Sequence, residues 1–458
     1  MVELSLSNLA YPILPYAYVL LIVLGIGAFL VKAAPKTRLP QKFAQNKVVA
    51  FYRSVRSSVE SSKAQAYEPL SGRFPLGLVL LISFLVSIVF VVVTVLPWIN
   101  PTYRLVSVDA PAYYQWLAHM RGLDFNSALT FAFTNDRGAF LFLSYALSFA
   151  TSPVNVVQLI PALLLVLFCV VSLLVARFVC GFREVWGYAV LLVPFSLQGL
   201  GLIYSGYFAN ILAVIFVYLY FVLLLKVFRS SSIFGVLSLL IVSLLVLFSH
   251  SWTWYIFVLS LGAFLFLEWR LAAGDRGLWK GFKWKFSIVI VTVILGLAVD
   301  WSRTLFTSSS ASASVFETAK SSLGFPNAGY ILGGLKLTTN FYLGGVFANA
   351  IIIGLSIIGF LYMLTFKSEM SRLLVSWFFV GCVSLLFASS EFVFNRFLFL
   401  MPSVIFSSLG LSYLVRVGVY GSKGSHAKKV AFEFLLVGFV VLCLLNFGLR
   451  YVLNLNLT

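Results

Sequence analysis

The residues whose types could do chemistry are few and far apart: Asp109, His250, Glu317 and Arg396. Asp109 sits about a dozen residues past an apolar run, in Ser107-Val108-Asp109-Ala110-Pro111-Ala112-Tyr113-Tyr114-Gln115-Trp116. A carboxylate at that place can face water and still lie near lipid head groups, and the Tyr and Trp rings behind it favour the same boundary. Two chemistries are open to it. It can ligate a divalent cation, Mg or Mn, if Asp136 and Glu317 supply further oxygens, or it can take a proton as a general base. The plain alternative is a solvated loop aspartate with an interfacial anchor. His119, Asp124 and Asp136 follow within thirty residues, but without the spacing of a His/Cys metal site.

Arg396, in Glu391-Phe392-Val393-Phe394-Asn395-Arg396, is a fixed cation where one apolar segment emerges and the next re-enters. A guanidinium there can grip phosphate through paired donors, or it can pair with Glu391 or reach to head groups. His250 lies in the short turn Ser249-His250-Ser251-Trp252-Thr253-Trp254-Tyr255, where a histidine hydrogen-bonded at the interface is the ordinary reading and proton transfer the sharper one. Trp252 and Trp254 read as belt residues of the membrane boundary.

The elements that must position these groups are membrane helices. Of 458 residues, 61% are hydrophobic and only 10% charged, far below the charge of a soluble domain. Apolar runs without the alternation of a barrel strand recur throughout, so the expected fold is an all-α polytopic membrane protein. About twelve crossings are predicted, at 11–31, 75–97, 156–179, 185–202, 207–227, 233–248, 254–267, 286–299, 343–366, 373–388, 397–415 and 430–449. With both termini outside, the inner loops hold 24 of the 32 Lys and Arg, while the acids divide seven and seven. Sorting of cations alone is the positive-inside pattern. The net charge of +18 is therefore a topology signal and an attraction to anionic lipid, and nucleic acid is excluded as a partner. Cys169, Cys180, Cys382 and Cys443 lie in or beside apolar segments, with neither disulfide nor zinc spacing. The first apolar run is preceded by Glu3 and no cation, so it reads as a retained anchor.

Two regions result. Residues 1–73 form a first helix and a basic cytoplasmic segment, of which 43–59 could lie on the inner leaflet as an amphipathic helix. Residues 74–458 form the membrane core with two sizeable outer loops, 99–155 and 302–342. Within the first, 140–149 is apolar but too short to cross and is expected to be re-entrant or interfacial. The second opens on Ser308-Ser309-Ser310-Ala311-Ser312-Ala313-Ser314 and is glycine-rich, the composition of a mobile, substrate-gating loop.

In this order the short signals resemble the GT-C class of membrane glycosyltransferases, and within it the catalytic subunits of oligosaccharyltransferases. Asp109 with Pro111, Tyr113 and Tyr114 resembles their first-loop acidic motif. Ser251-Trp252 with Tyr255 and Phe257 resembles their Ser-Trp-Gly-Gly-Tyr-x-Phe turn. Ser314-Val315-Phe316-Glu317 resembles their Ser-Val-x-Glu signature, and Asn395-Arg396-Phe397 with Pro402 the late helix bearing a phosphate-facing Arg. Two features depart. The second acidic motif, Gly-x-x-Asp-Asn-Glu, falls on Gly206-Tyr207-Phe208-Ala209-Asn210-Ile211, which lacks both carboxylates, and no Trp-Trp-Asp motif of a soluble C-terminal domain is present. The resemblance covers residues 74–420.

It implies a donor sugar on a polyprenyl phosphate or diphosphate, an acceptor glycan, lipid or protein, and a site at the outer face of the cell membrane. Asp109 would be the catalytic residue and Arg396 would hold the donor phosphate. Glu317, Trp252, Tyr255 and His250 would line the acceptor cleft. Without the second acidic motif, metal-independent chemistry is favoured over a Mg or Mn site on Asp109, Asp136 and Glu317. The reading from another class is a non-catalytic membrane protein, either a paralogue that kept the fold or a transporter of lipid-linked glycans.

Overall fold

The computed structural model describes residues 12–33, 75–230, 232–273, 275–303, 327–340, 345–387, 391–421 and 426–454. These form eighteen α-helices and one 3-10 turn, with no strand among the described residues. In chain order they are α1 (Leu14–Ala33), α2 (Leu76–Val93), α3 (Ala110–Arg121), α4 (Phe125–Thr134), α5 (Gly138–Leu147), α6 (Pro153–Val179) and α7 (Arg183–Leu191). Then follow α8 (Leu197–Ser205), α9 (Phe208–Ser230), α10 (Ile233–Ser249), α11 (Ser251–Ala272) and α12 (Arg276–Arg303). The last six are α13 (Ala328–Asn340), α14 (Ala350–Met363), α15 (Glu369–Leu386), α16 (Glu391–Leu400), α17 (Ser403–Gly421) and α18 (His426–Asn454).

The chain is a polytopic membrane protein. Lipid offers no partner for a bare backbone amide, so the long apolar runs close their hydrogen bonds within helices. Eight helices are long and apolar enough to cross: α1, α2, α6, α9, α11, α12, α15 and α18. A ninth crossing results if the bent pair α16–α17 is one span, broken by 52°. Pro402, at the break, supplies no amide to the helix and restrains the residue before it. The predicted twelve therefore become eight or nine among the described residues. The segment at 185–202 is broken into α7, the 3-10 turn Val193–Phe195 and α8, because Pro194 interrupts the helix and Ser196 caps the next one by accepting from the Gly199 amide. The runs at 233–248 and 343–366 form α10, of 17 residues, and α14, of 14, both shorter than a standard span.

Outward faces are apolar, as lipid requires: Phe434, Leu435, Phe439 and Leu442 of α18 are each more than 60% exposed. Inside, α14 and α17 meet without side chains between them. A Cβ on Gly359 would stand 1.7 Å from the Phe406 carbonyl oxygen, and one on Gly410 2.1 Å from that of Leu355, the close backbone approach that small residues permit.

Buried charges collect at two ends of the bundle. At one, Glu268 takes Lys285 at 2.5 Å and Arg372 at 2.5 Å, while Glu184 accepts from Arg416 Nε at 2.6 Å and Ser412 Oγ at 3.1 Å. Seventeen residues along α11 separate Ser251 from Glu268, about 25 Å at 1.5 Å per residue. The His250 turn therefore stands at the opposite end, with the loop that carries Asp109.

Two expectations change. The 302–342 loop contains α13, whose Gly334 lies so near Phe394 that a Cβ would approach its ring to 2.4 Å. Trp254 is no belt residue: it is fully buried, with Nε1 3.3 Å from Ser243 Oγ and its ring filling the space left by Gly296. Helix α5 is short, as expected for 140–149, and packs into the core through Phe140 and Leu141. The basic segment at 43–59 and the Ser-rich start of the second loop lie outside the described residues.

Candidate active site

Asp109 immediately precedes α3, with Pro111 in the first helical turn, where a missing amide costs nothing. Its carboxylate makes no capping bond back to the helix, so it is not spent on the element that positions it. The backbone is held instead: the Asp109 amide donates to the Ser205 carbonyl at 3.3 Å. Ser107, two residues earlier, has φ +93°, a conformation that a non-glycine residue adopts at a cost.

The Gly206 turn lies directly against this loop. Gly206 has φ +76°, and a Cβ there would stand 2.5 Å from Ser107 Oγ and 3.1 Å from Asp109 Cβ. Gly206→Ala is therefore expected to destabilise the protein by about 1–3 kcal/mol through left-handed strain and the clash and to move Asp109. A melting curve of the purified variant checks the first effect, and a parent-like melting point would show that the two loops are not in contact.

The same turn sets Tyr113. Its hydroxyl accepts from the Ala209 amide at 3.4 Å, and its ring packs on Phe208 at 5.1 Å and edge-on to Phe140 at 4.7 Å. Burial pushes this phenol up to about 12. Over the aromatic face lies Arg137, its guanidinium 5.3 Å from the Tyr113 ring and 5.1 Å from that of Trp116, a cation–π arrangement. Sequence reasoning missed Arg137. The available signal was its place beside Asp136 in the loop shared with Asp109.

Arg396 is buried at the turn between α10 and α11, with Nη1 2.6 Å from His250 Nε2. A guanidinium has only donors, so Nε2 accepts. The other ring nitrogen, Nδ1, lies 3.0 Å from Thr253 Oγ1 and 3.2 Å from the Thr253 amide nitrogen. Burial first, then the charges of Arg396 and Arg137, keep His250 neutral by lowering its pKa well below the usual range. The histidine is thus a neutral prop for Arg396, and the side chain of Glu391, the partner that the sequence offered, lies outside the described residues.

Asp109 feels three influences. Burial raises its pKa above that of an ordinary aspartate, whereas Arg137 and then Arg396 favour the ionised form. Three groups from distant parts of the chain thus share one electrostatic neighbourhood.

Tyr255 and Trp252 are half-buried. The Tyr255 hydroxyl donates to Asp300 Oδ2 at 3.2 Å, and Asp300 pairs with Arg303 at 3.5 Å. Arg303 in turn donates to the carbonyls of Phe133, at 3.1 Å, and Asn135. Tyr255 thereby belongs to a clamp that ties α11 and α12 to the end of α4 and to the turn carrying Asp136 and Arg137.

Glu317, with its Ser314–Glu317 signature, lies outside the described residues. No group of three or more His, Cys, Asp or Glu among the described residues could hold a metal ion. Where the resemblance places carboxylates stand Ala209 and Ile211, both fully buried, and Asp136 is turned to Arg137, 3.9 Å from Nε. Divalent cations of the Mg or Mn kind need several oxygen ligands, so the described members of the expected set, Asp109 and Asp136, do not by themselves fit one.

No protein-family model matches the sequence, and no curated protein does. Solved structures do. The archaeal oligosaccharyltransferase AglB of Archaeoglobus fulgidus, in complex with an inhibitory peptide and a dolichol-phosphate, superposes with TM-score 0.54 at 13% identity, over 83% of this chain and 56% of that one. The fold is distantly like that of this archaeal oligosaccharyltransferase. A second A. fulgidus oligosaccharyltransferase structure, with Zn and sulfate, gives TM-score 0.51 at 15% identity over 82% of this chain and 53% of that one. A third, tethered to an acceptor peptide containing the NVT sequon, gives 0.52 at 15% identity over 82% and 55%. The present chain therefore spans little more than half the length of the archaeal oligosaccharyltransferases that it matches.

Proposed function

We propose that the chain is a membrane glycosyltransferase that moves a sugar or oligosaccharide from a polyprenyl phosphate or diphosphate to an acceptor at the outer face of the cell membrane, with both termini outside. The observation that carries this reading is the meeting of Asp109 with Arg396 and Arg137 at one end of a lipid-embedded bundle. It agrees with a GT-C fold whose solved neighbours bind a dolichol-phosphate and an acceptor peptide.

In the step that these residues support, the acceptor nucleophile attacks the anomeric carbon and the bond from that carbon to the phosphate oxygen breaks. Asp109 takes the proton released by the acceptor. The lipid phosphate leaves with the bonding electrons, and Arg396, held by His250, meets the developing charge without reorganising, a contribution often worth several kcal/mol. The acceptor is a glycan, a lipid or a protein. With Ala209 and Ile211 standing where carboxylates would serve a cation, the reading favours a step on side-chain charge, from Asp109 and Arg396.

The same two buried apolar residues favour a second reading, a paralogue that kept the fold and lost transfer. Mass spectrometry of lipids from cells lacking the gene separates the two. The enzyme reading expects a polyprenyl-linked glycan to accumulate, and an unchanged lipid-linked pool would reject it.

A further inference from the structure

We propose that Arg137 is a second phosphate-binding residue of this site, its guanidinium and that of Arg396 flanking Asp109 so as to grip a polyprenyl diphosphate between them. The inference rests on the donor reading above and names the residue that substitutes for a cation.

The turn that presents Arg137 is built rather than incidental. Arg303 is 1% exposed and spends donors on the carbonyls of Phe133 and Asn135. The Arg137 amide donates to Asn135 Oδ1 at 3.0 Å. From that turn the guanidinium lies on Tyr113 and Trp116. Its face rests on the aromatic rings and Nε keeps an unspent donor, and an arginine recognises phosphate through such paired donors.

Nε has no hydrogen-bond acceptor although it is buried, and Asp136 Oδ1, at 3.9 Å, is beyond hydrogen-bonding distance. Asp136 itself is 44% exposed and its charge is correspondingly solvated. The Arg137 side chain retains 17% exposure, so the site is reachable. Meanwhile Arg137 lies over the ring of Tyr113, whose amide donates to the Asp109 carbonyl at 3.2 Å, and the charges of Arg137 and Arg396 act on one another and on Asp109. Two guanidinia that repel one another are relieved by an anion that accepts from both, and a diphosphate has the charge and the oxygens to do so.

Binding of farnesyl diphosphate, with farnesol as the control, to the purified full chain in detergent and EDTA tests this. The parent is expected to bind the diphosphate without added cation. Arg137→Gln should weaken that binding about 10- to 100-fold, as expected for the loss of hydrogen bonds to a charged group, and leave farnesol unaffected. Arg137→Lys, which keeps the charge and loses the fork, should fall between and decides the matter if the Gln variant does not fold. Parent-like diphosphate binding in either variant, or binding that requires Mg or Mn, overturns the assignment. No binding by the parent in either condition overturns the donor reading itself, a result distinct from an Arg137 variant that binds normally.

Discussion

Asp109→Asn is expected to reduce transfer from a lipid-linked sugar by about 10²- to 10⁴-fold, the range that a positioned general base contributes, while the purified variant melts no lower than the parent. The two halves of this expectation share one cause. Burial raises the Asp109 pKa above the 3.8 of an ordinary aspartate, against the opposing pull of Arg137 and Arg396. In the window between the unfolded and folded values the native state still holds a proton that the unfolded chain has released. The stability this confers is complete below the unfolded value and is lost as pH rises through the folded one, so above that point the ionised carboxylate costs stability that Asn does not. Catalysis needs the same ionised form. The acidic limb of kcat/KM should thus fall at a pH above 3.8, and it should be absent from the residual activity of Asp109→Asn. Undiminished turnover would remove Asp109 from the mechanism.

Arg396→Gln is expected to lower kcat by about 10²- to 10³-fold, the effect of losing one preorganised donor to a developing oxyanion, and also to destabilise the fold. Arg396 is 7% exposed and meets His250, itself 3% exposed. Removing the guanidinium leaves the buried Nε2 short of a donor, at about 1–3 kcal/mol. Arg396→Lys separates the roles. A lysine retains the charge and one donor but not the fork, so it should recover melting temperature more fully than kcat. Equal recovery of both would mean that Arg396 acts only as a structural partner of His250.

The two arginines divide differently between structure and chemistry. Arg396 meets a neutral histidine from the α10–α11 turn, whereas Arg137 rests on aromatic faces and stays partly exposed. The Asp300–Arg303–Tyr255 clamp serves the second by holding the turn from which Arg137 projects. It also explains why Tyr255, expected in the acceptor cleft, hydrogen-bonds to Asp300. The two carboxylates missing from the Gly206–Ile211 turn lie where the turn touches the Asp109 loop. Their loss changes the donor set at the site without disturbing the backbone contact that Gly206 makes.

The membrane class and the helical character of the chain follow from composition alone, because hydrocarbon forces each long apolar run to satisfy its own backbone and cation sorting orients the loops. Asp109, His250 and Arg396 were legible as chemical candidates because polar residues at the ends of apolar runs are few. Which runs cross was less legible. Pro194 and Pro402 break apolar stretches that hydropathy reads as continuous, and a burial like that of Trp254 depends on Gly296 in another helix. Arg137 was hidden for the same reason: its meaning lies in Tyr113, Trp116 and Asp109, and a lone arginine in a loop announces none of them. Type, sign of charge and local periodicity are properties of neighbouring residues, so the chain determines them unaided. Proximity between residues hundreds of positions apart is set by helix packing and by proline and glycine breaks, and only the folded chain decides it.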